Sequence, residues 1–265
     1  MKRLKVNEIE LAVEDRGAGL PVVLTHGFPL DHTMWAPQIE RLSQSYRVIA
    51  CDLRGFGQSE VTEGTVAMEQ FADDSVAMLE ALKIDDSVIF CGLSMGGYIA
   101  TEFWRKYPDR LKGLILCGTR SSNDSPEIAR ARMEMADRVT REGTEVIVDG
   151  MIPKLFSKAS EEEQPKIVQS LRNVMLSTDR RGVAAAARGM AQRADATPHL
   201  GDINCKSLVV VGQHDVISPP AEMKEIADAI PDSMFVEISG AGHMSPIEKP
   251  AQVNAAIERF LVSLS

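Results

Sequence analysis

Residues 87–99 read SVIFCGLSMGGYI, and the order of residue types within them decides the fold. Val88, Ile89, Phe90 and Cys91 are apolar on consecutive positions, the pattern of a strand buried on both faces. A glycine-rich turn follows, and Tyr98 and Ile99 lie in a segment of helical period. Inside the turn, Gly92-Leu93-Ser94-Met95-Gly96 is a G-x-S-x-G sequence set between strand and helix. Glycines two residues either side of Ser94 leave room where a sharp turn brings backbone segments together. Such a turn holds the serine in a strained conformation with its hydroxyl raised above the sheet. A free serine hydroxyl is a weak nucleophile, so Ser94 needs a base brought from elsewhere in the chain.

Similar apolar runs recur on both sides of this stretch. PVVLTHG (21–27), YRVIACD (46–52), LKGLILCGT (111–119), KSLVVVGQHD (206–215) and SMFVEISGAGH (233–243) each read as a buried strand with its exit loop. Segments of helical period lie between them, at 35–44, 66–83, 95–107, 220–230 and 250–264. Alternating strand and helix signals predict an α/β fold with a mostly parallel, doubly wound sheet. Leu4 to Glu14 alternates near period 2 with a phase slip at Asn7-Glu8, which predicts an antiparallel hairpin at one edge. Regularity breaks between 119 and 206, where about 85 residues read as helices, several times what one crossover needs. Ser125-Pro126 offers a cap and a first-turn proline for the first of them. Residues 1–119 and 200–265 are therefore expected to form the core, with 120–199 a helical insertion over the end of the sheet.

The strand exits supply the partners that Ser94 requires. His243 sits in Gly240-Ala241-Gly242-His243-Met244, directly after the last strand signal, and is the expected base. Imidazole is the side chain whose ordinary titration lies nearest neutrality, so it can take a serine proton. His26, His32, His199 and His214 have weaker positions. Asp215 ends the penultimate strand run and is the expected acid, holding the imidazole tautomer and stabilising the imidazolium. Asp124, after the strand at 111–119, is the alternative acid. An oxyanion needs donors. One is the backbone N–H of Met95, at a helix start where N–H groups lack partners and the dipole favours negative charge. The second is assigned to the N–H of Phe28 in His26-Gly27-Phe28-Pro29, because Pro29 cannot donate. Each such donor is typically worth roughly 3–4 kcal/mol in the transition state. Asp52 and Arg54, in a turn-rich strand exit, are expected to fix their loop by hydrogen bonds.

Composition narrows the rest. The 265 residues carry 29 Lys+Arg against 38 Asp+Glu, a formal charge of −9, which opposes non-specific nucleic-acid binding. No apolar run approaches the roughly 20 residues of a membrane span, and the N-terminus lacks the apolar region of a secretory leader. The four cysteines form no CxxC pair and no histidine clusters with them, so no metal is expected. Buried reduced thiols fit a cytoplasmic protein. No Gly-rich phosphate-binding pattern predicts a nucleotide, and no cofactor of any kind is expected.

Taken together, HGFPLDHTMW (26–35), DLRGFGQS (52–59), GLSMGG (92–97), GQHDVISPP (212–220) and GAGHMSPIEKP (240–250) resemble the α/β-hydrolase family, in its order and over most of the chain. The resemblance implies an α/β-hydrolase fold, a nucleophile at Ser94, an acid at Asp215, a base at His243, oxyanion donors at Phe28 and Met95, and a cap domain at 120–199. It is nearest to small-ester and enol-lactone hydrolases and to cofactor-free haloperoxidases or perhydrolases. Haloalkane dehalogenases use aspartate where Ser94 stands, which disfavours carbon–halogen cleavage. The implied activity is hydrolysis of a small or medium, largely apolar carboxylic ester or lactone. Perhydrolysis or carbon–carbon hydrolysis on the same triad is the alternative. A small-molecule sensor that retains the triad is an alternative of another class, told apart by very slow turnover and ligand-dependent binding of a partner protein.

Overall fold

A computed structural model describes residues 1–264. Eight strands form one sheet: β1 (Lys2–Val6), β2 (Ile9–Arg16), β3 (Pro21–Thr25), β4 (Arg47–Cys51), β5 (Val88–Leu93), β6 (Leu111–Cys117), β7 (Lys206–Gly212) and β8 (Ser233–Ile238). Their spatial order is β1-β2-β4-β3-β5-β6-β7-β8. β1 pairs antiparallel with β2, and β2 antiparallel with β4, while β4 through β8 run parallel. The phase slip seen in the sequence is the hairpin turn, where Asn7 and Glu8 both take positive φ. Every residue of β3 and β5 is buried, because helices cover both faces of the central sheet.

The helices are α1 (Ala36–Leu42), α2 (Met68–Ala81), α3 (Met95–Lys106), α4 (Pro126–Glu142), α5 (Glu145–Leu155), α6 (Lys158–Glu163), α7 (Pro165–Ser177), α8 (Arg180–Ala191), α9 (Pro220–Ala229), α10 (Ser245–Glu248) and α11 (Pro250–Val262). α3 packs on β3, β5 and β6, and α11 packs on β7, β8 and α1. Five helices, α4 to α8, occupy the long interval between β6 and β7. Ser125 caps the first of them, its side chain accepting from the Ile128 N–H, and Pro126 fills the first turn. Within this interval the chain breaks at Gln164, where Pro165 cannot continue α6 and instead opens α7.

Because β3 to β8 are parallel, their carboxyl ends lie on one side of the sheet. His26 to Phe28, Asp52, Ser94, Gly118, Asp215 and His243 all follow strand ends there. Helix α8 meets the loop after β4 through glycine. A Cβ on Gly182 would overlap the backbone of Gly55, and one on Gly189 would overlap the carbonyl of Val66. The Val66 N–H donates to the Ala185 carbonyl at 3.1 Å. Rigid backbone on both sides leaves no room for a methyl, so Gly182→Ala should destabilise the fold by roughly 1–3 kcal/mol. Gly150→Ala is the control, since a Cβ there meets nothing within 4 Å and the site is helical. Thermal unfolding should show a lowered Tm for Gly182→Ala only. A wild-type Tm in that variant would contradict the close approach.

Candidate active site

Ser94 caps α3 with φ 54° and ψ −113°, a conformation that L-residues rarely adopt. Its neighbours explain the glycines. A Cβ on Gly92 would overlap the Gly96 carbonyl, and one on Gly96 would overlap the Thr25 carbonyl at the end of β3. The Ser94 backbone is held on both sides. Its N–H donates to the Cys117 carbonyl at 3.0 Å, and its carbonyl accepts from Gly97 N at 2.9 Å and Thr119 Oγ1 at 2.8 Å.

His243 and Asp215, expected from sequence to be partners, are hydrogen-bonded through Nδ1 and Oδ2 at 2.8 Å, and both are buried. Asp215 is itself fixed: Oδ1 accepts the N–H groups of Ile217 (2.8 Å) and Ser218 (2.9 Å) in its own exit loop. The carboxylate therefore has one oxygen for its loop and one for the imidazole. With Nδ1 donating to Asp215, Nε2 is the nitrogen left to accept a proton. Gly118 makes this pairing possible, because a Cβ there would lie 3.0 Å from Asp215 Oδ2 and 3.2 Å from His243 Nδ1. Gly118 also follows Cys117, whose carbonyl holds Ser94, so serine and imidazole flank the same two-residue exit of β6. Among the described residues Ser94 and His243 are not hydrogen-bonded to each other.

Both assigned donors lie in segments next to Ser94. Met95 begins α3, and Phe28 follows Gly27, where a Cβ would lie 3.4 Å from the Ser94 Cβ. Among the described residues no acceptor takes either N–H. First-turn helical N–H groups lack intrahelical partners, so Met95 is free to donate outward.

Asp124, the alternative acid, is engaged elsewhere. It pairs with Arg132 at 2.5 Å and with Arg193 at 2.7 Å. Burial raises its pKa, but the two guanidinium groups outweigh that and hold it below the usual carboxylate range.

Two histidines outside the pairing brace the Phe28 loop, a role the sequence reading did not assign. His26 is fully buried, its Nδ1 donating to the Gly27 carbonyl at 2.9 Å and its Nε2 accepting from Leu53 N at 3.0 Å. Burial pushes its pKa down and fixes a neutral ring. It thereby ties the loop after β3 to the loop after β4. His32, after that loop, donates from Nδ1 to Asp52 Oδ1 at 2.6 Å. Asp52 also accepts the N–H groups of His32 (3.0 Å) and Gln58 (2.8 Å). Arg54 forms a buried two-bond pair with Asp74 at 2.7 Å, so both residues fix this loop as expected. The available signal was the spacing of His26 and His32 around Gly27-Phe28-Pro29, opposite a strand exit rich in acceptors.

Residues 21–250 match the α/β hydrolase fold family. The chain belongs to that family. A solved structure of a thermophilic esterase from Thermogutta terrifontis is 48% identical, with TM-score 0.97 over 99% of this chain and 98% of that one. An enol-lactonase from Burkholderia xenovorans LB400 is 32% identical, with TM-score 0.92 over 98% of this chain and all of that one. A bromoperoxidase from Bacillus anthracis is 25% identical, with TM-score 0.86 over 98% and 99%. Among the described residues no helix is long and apolar enough to cross a membrane.

His32 gives this region a pH signature. Burial lowers its pKa, but the hydrogen bond and charge of Asp52, with Asp31 and Glu14, outweigh burial and raise it above the usual value. A raised folded pKa means that the stabilisation is complete below the unfolded value of about 6.5 and is lost as pH rises through the folded value. The Tm advantage of wild type over His32→Asn should therefore shrink with rising pH above about 6.5. An advantage that grows with pH would contradict the charged pairing.

Proposed function

We propose that this chain is a serine carboxylic-ester hydrolase acting on a small or medium, largely apolar ester or lactone. The observation that carries the reading is the buried 2.8 Å pairing of His243 with Asp215, beside a serine held at positive φ. Ser94 Oγ attacks the acyl carbon while His243 Nε2 takes its proton. The tetrahedral oxyanion receives the N–H groups of Phe28 and Met95. Asp215 keeps Nδ1 protonated and stabilises the imidazolium. His243 then gives its proton to the leaving alcohol, and the acyl-enzyme forms. Water, activated by the same imidazole, releases the acid and restores Ser94. Nothing in this sequence of steps calls for a metal or an organic cofactor.

Residues 120–199 act in this reading as a cap on the core formed by 1–119 and 200–265. Thr178, at the end of α7, donates to the Pro29 carbonyl at 3.1 Å, and Met244 N donates to the Leu155 carbonyl at 2.9 Å. The cap thus touches the loop of each assigned element, the donor loop and the base loop. Relatives named as an esterase and an enol-lactonase support ester-bond hydrolysis. The unpaired thiols support a reducing, cytoplasmic location.

A serine-directed phosphonate should label Ser94, and persistent labelling of Ser94→Ala would overturn the nucleophile. His243→Ala should lower kcat by roughly 10⁴–10⁶, the scale of triad deletions. Asp215→Asn should cost less than loss of Ser94 yet clearly more than Asp124→Asn. p-Nitrophenyl esters of rising acyl length and simple lactones are the substrates for these assays. The bromoperoxidase relative favours a second reaction on the same residues, transfer of the acyl group to peroxide to give a peracid. Peracid formed from a carboxylic acid and peroxide, absent in Ser94→Ala, distinguishes it.

A further inference from the structure

Glu248 is a buried carboxylate with no basic side chain within 4 Å among the described residues, and the reaction proposed above does not use it. Burying a charge without a counter-charge is costly unless hydrogen bonds replace its water. Here they come from backbone on two different segments. Glu248 Oε1 and Oε2 accept the Gly242 N–H at 2.9 and 3.0 Å, and Oε2 also accepts the Ser157 N–H at 2.9 Å. Gly242 immediately precedes His243. Ser157 caps α6 at its junction with α5.

These two segments are in backbone contact. A Cβ on Gly242 would lie 2.5 Å from Ser157 N and 2.6 Å from the Phe156 carbonyl carbon, so residue 242 is glycine because the α5–α6 junction presses against it. Two more bonds join them: Ser157 Oγ donates to the Gly240 carbonyl at 2.9 Å, and Met244 N donates to the Leu155 carbonyl at 2.9 Å. Residues 240, 242 and 244 are thus held from residues 155–157, with Glu248 at the centre of the seam. Packing alone would be met by an apolar side chain. A carboxylate answers a narrower need, two converging N–H donors that would otherwise be orphaned in the interior.

We infer that Glu248 is a positioning residue: it locks the loop carrying His243 onto the α5–α6 junction and so sets where the imidazole stands. The inference rests on the hydrolase reading for its kinetic consequence but not for its geometry. It couples the helices between β6 and β7 to the base, because a displacement of residues 155–157 must move Gly242. A misplacement near 1 Å at a reacting group can cost about a hundredfold in rate.

Glu248→Gln is the discriminating variant. One amide oxygen can still accept, but the NH₂ group must face a backbone N–H, so one bond is lost with little change in volume. On p-nitrophenyl butyrate, kcat should fall by about tenfold to a hundredfold with KM within about twofold. Glu248→Asp, which keeps the charge, should recover part of the loss. The double variant Glu248→Gln/His243→Ala should be no slower than His243→Ala, since a residue acting through the base has nothing left to act on. A readout without substrate keeps the test independent of the hydrolase reading. The downfield proton resonance of His243 Nδ1–H, identified by its absence in His243→Ala, should shift or broaden in Glu248→Gln. Wild-type kcat in Glu248→Gln, multiplicative losses in the double variant, or an unmoved resonance would each overturn the assignment. A wild-type protein that hydrolyses no ester but shows the shifted resonance would fail the hydrolase reading alone.

Discussion

Ser94 stands at φ 54° with a side chain that disfavours it, and the surroundings over-determine that conformation. Strain of this kind costs of order 1–3 kcal/mol. Four hydrogen bonds to the Ser94 backbone, from Gly97, Tyr98 and Thr119 and to Cys117, each contribute about 1 kcal/mol net and offset it. The glycines at 92 and 96 remove the steric obstacles, and the Gly96 contact with the end of β3 brings the Phe28 loop to the same place. One tight turn thus fixes the serine at the start of α3 and packs it against the end of β3, which leads into the Phe28 loop.

Parallel strands then do the rest by geometry. β5 leads into Ser94, β7 to Asp215 and β8 to His243, so in the proposed reading the imidazole reaches back across two strand exits. Gly118, just after β6, leaves room for the ring, and Asp215 holds it. The buried polar groups there are satisfied chiefly by backbone and by one another: Asp215 by its own loop, His26 by Gly27 and Leu53, and Asp52 by His32 and Gln58. Fully satisfied networks of this kind rigidify a site.

Much of this was legible in the chain. Consecutive apolar runs at 21–27, 88–93 and 206–212 announce strands covered on both faces, and the edge hairpin shows in the phase slip at Asn7-Glu8. The G-x-S-x-G turn is readable because its glycines are demanded by local backbone crowding. The pairing of His243 with Asp215 is readable because both follow strand ends. Three features were not. The break at Gln164-Pro165 hides inside a polar, helix-forming stretch. The bracing by His26 and His32 depends on loops that meet only after the sheet forms. The contact of Gly182 with Gly55 joins residues far apart in sequence, and glycine in a helix offers no periodic signal of what approaches it.

In the proposed reaction Ser94 becomes covalently acylated during turnover. Rapid acid quench after mixing the protein with a p-nitrophenyl ester, followed by peptide mass spectrometry, tests it directly. Covalent catalysis requires an added acyl mass on the peptide containing Ser94, present in wild type and absent in Ser94→Ala. Ester hydrolysis with the acyl group on a different residue, or with Ser94→Ala retaining full turnover, would contradict it.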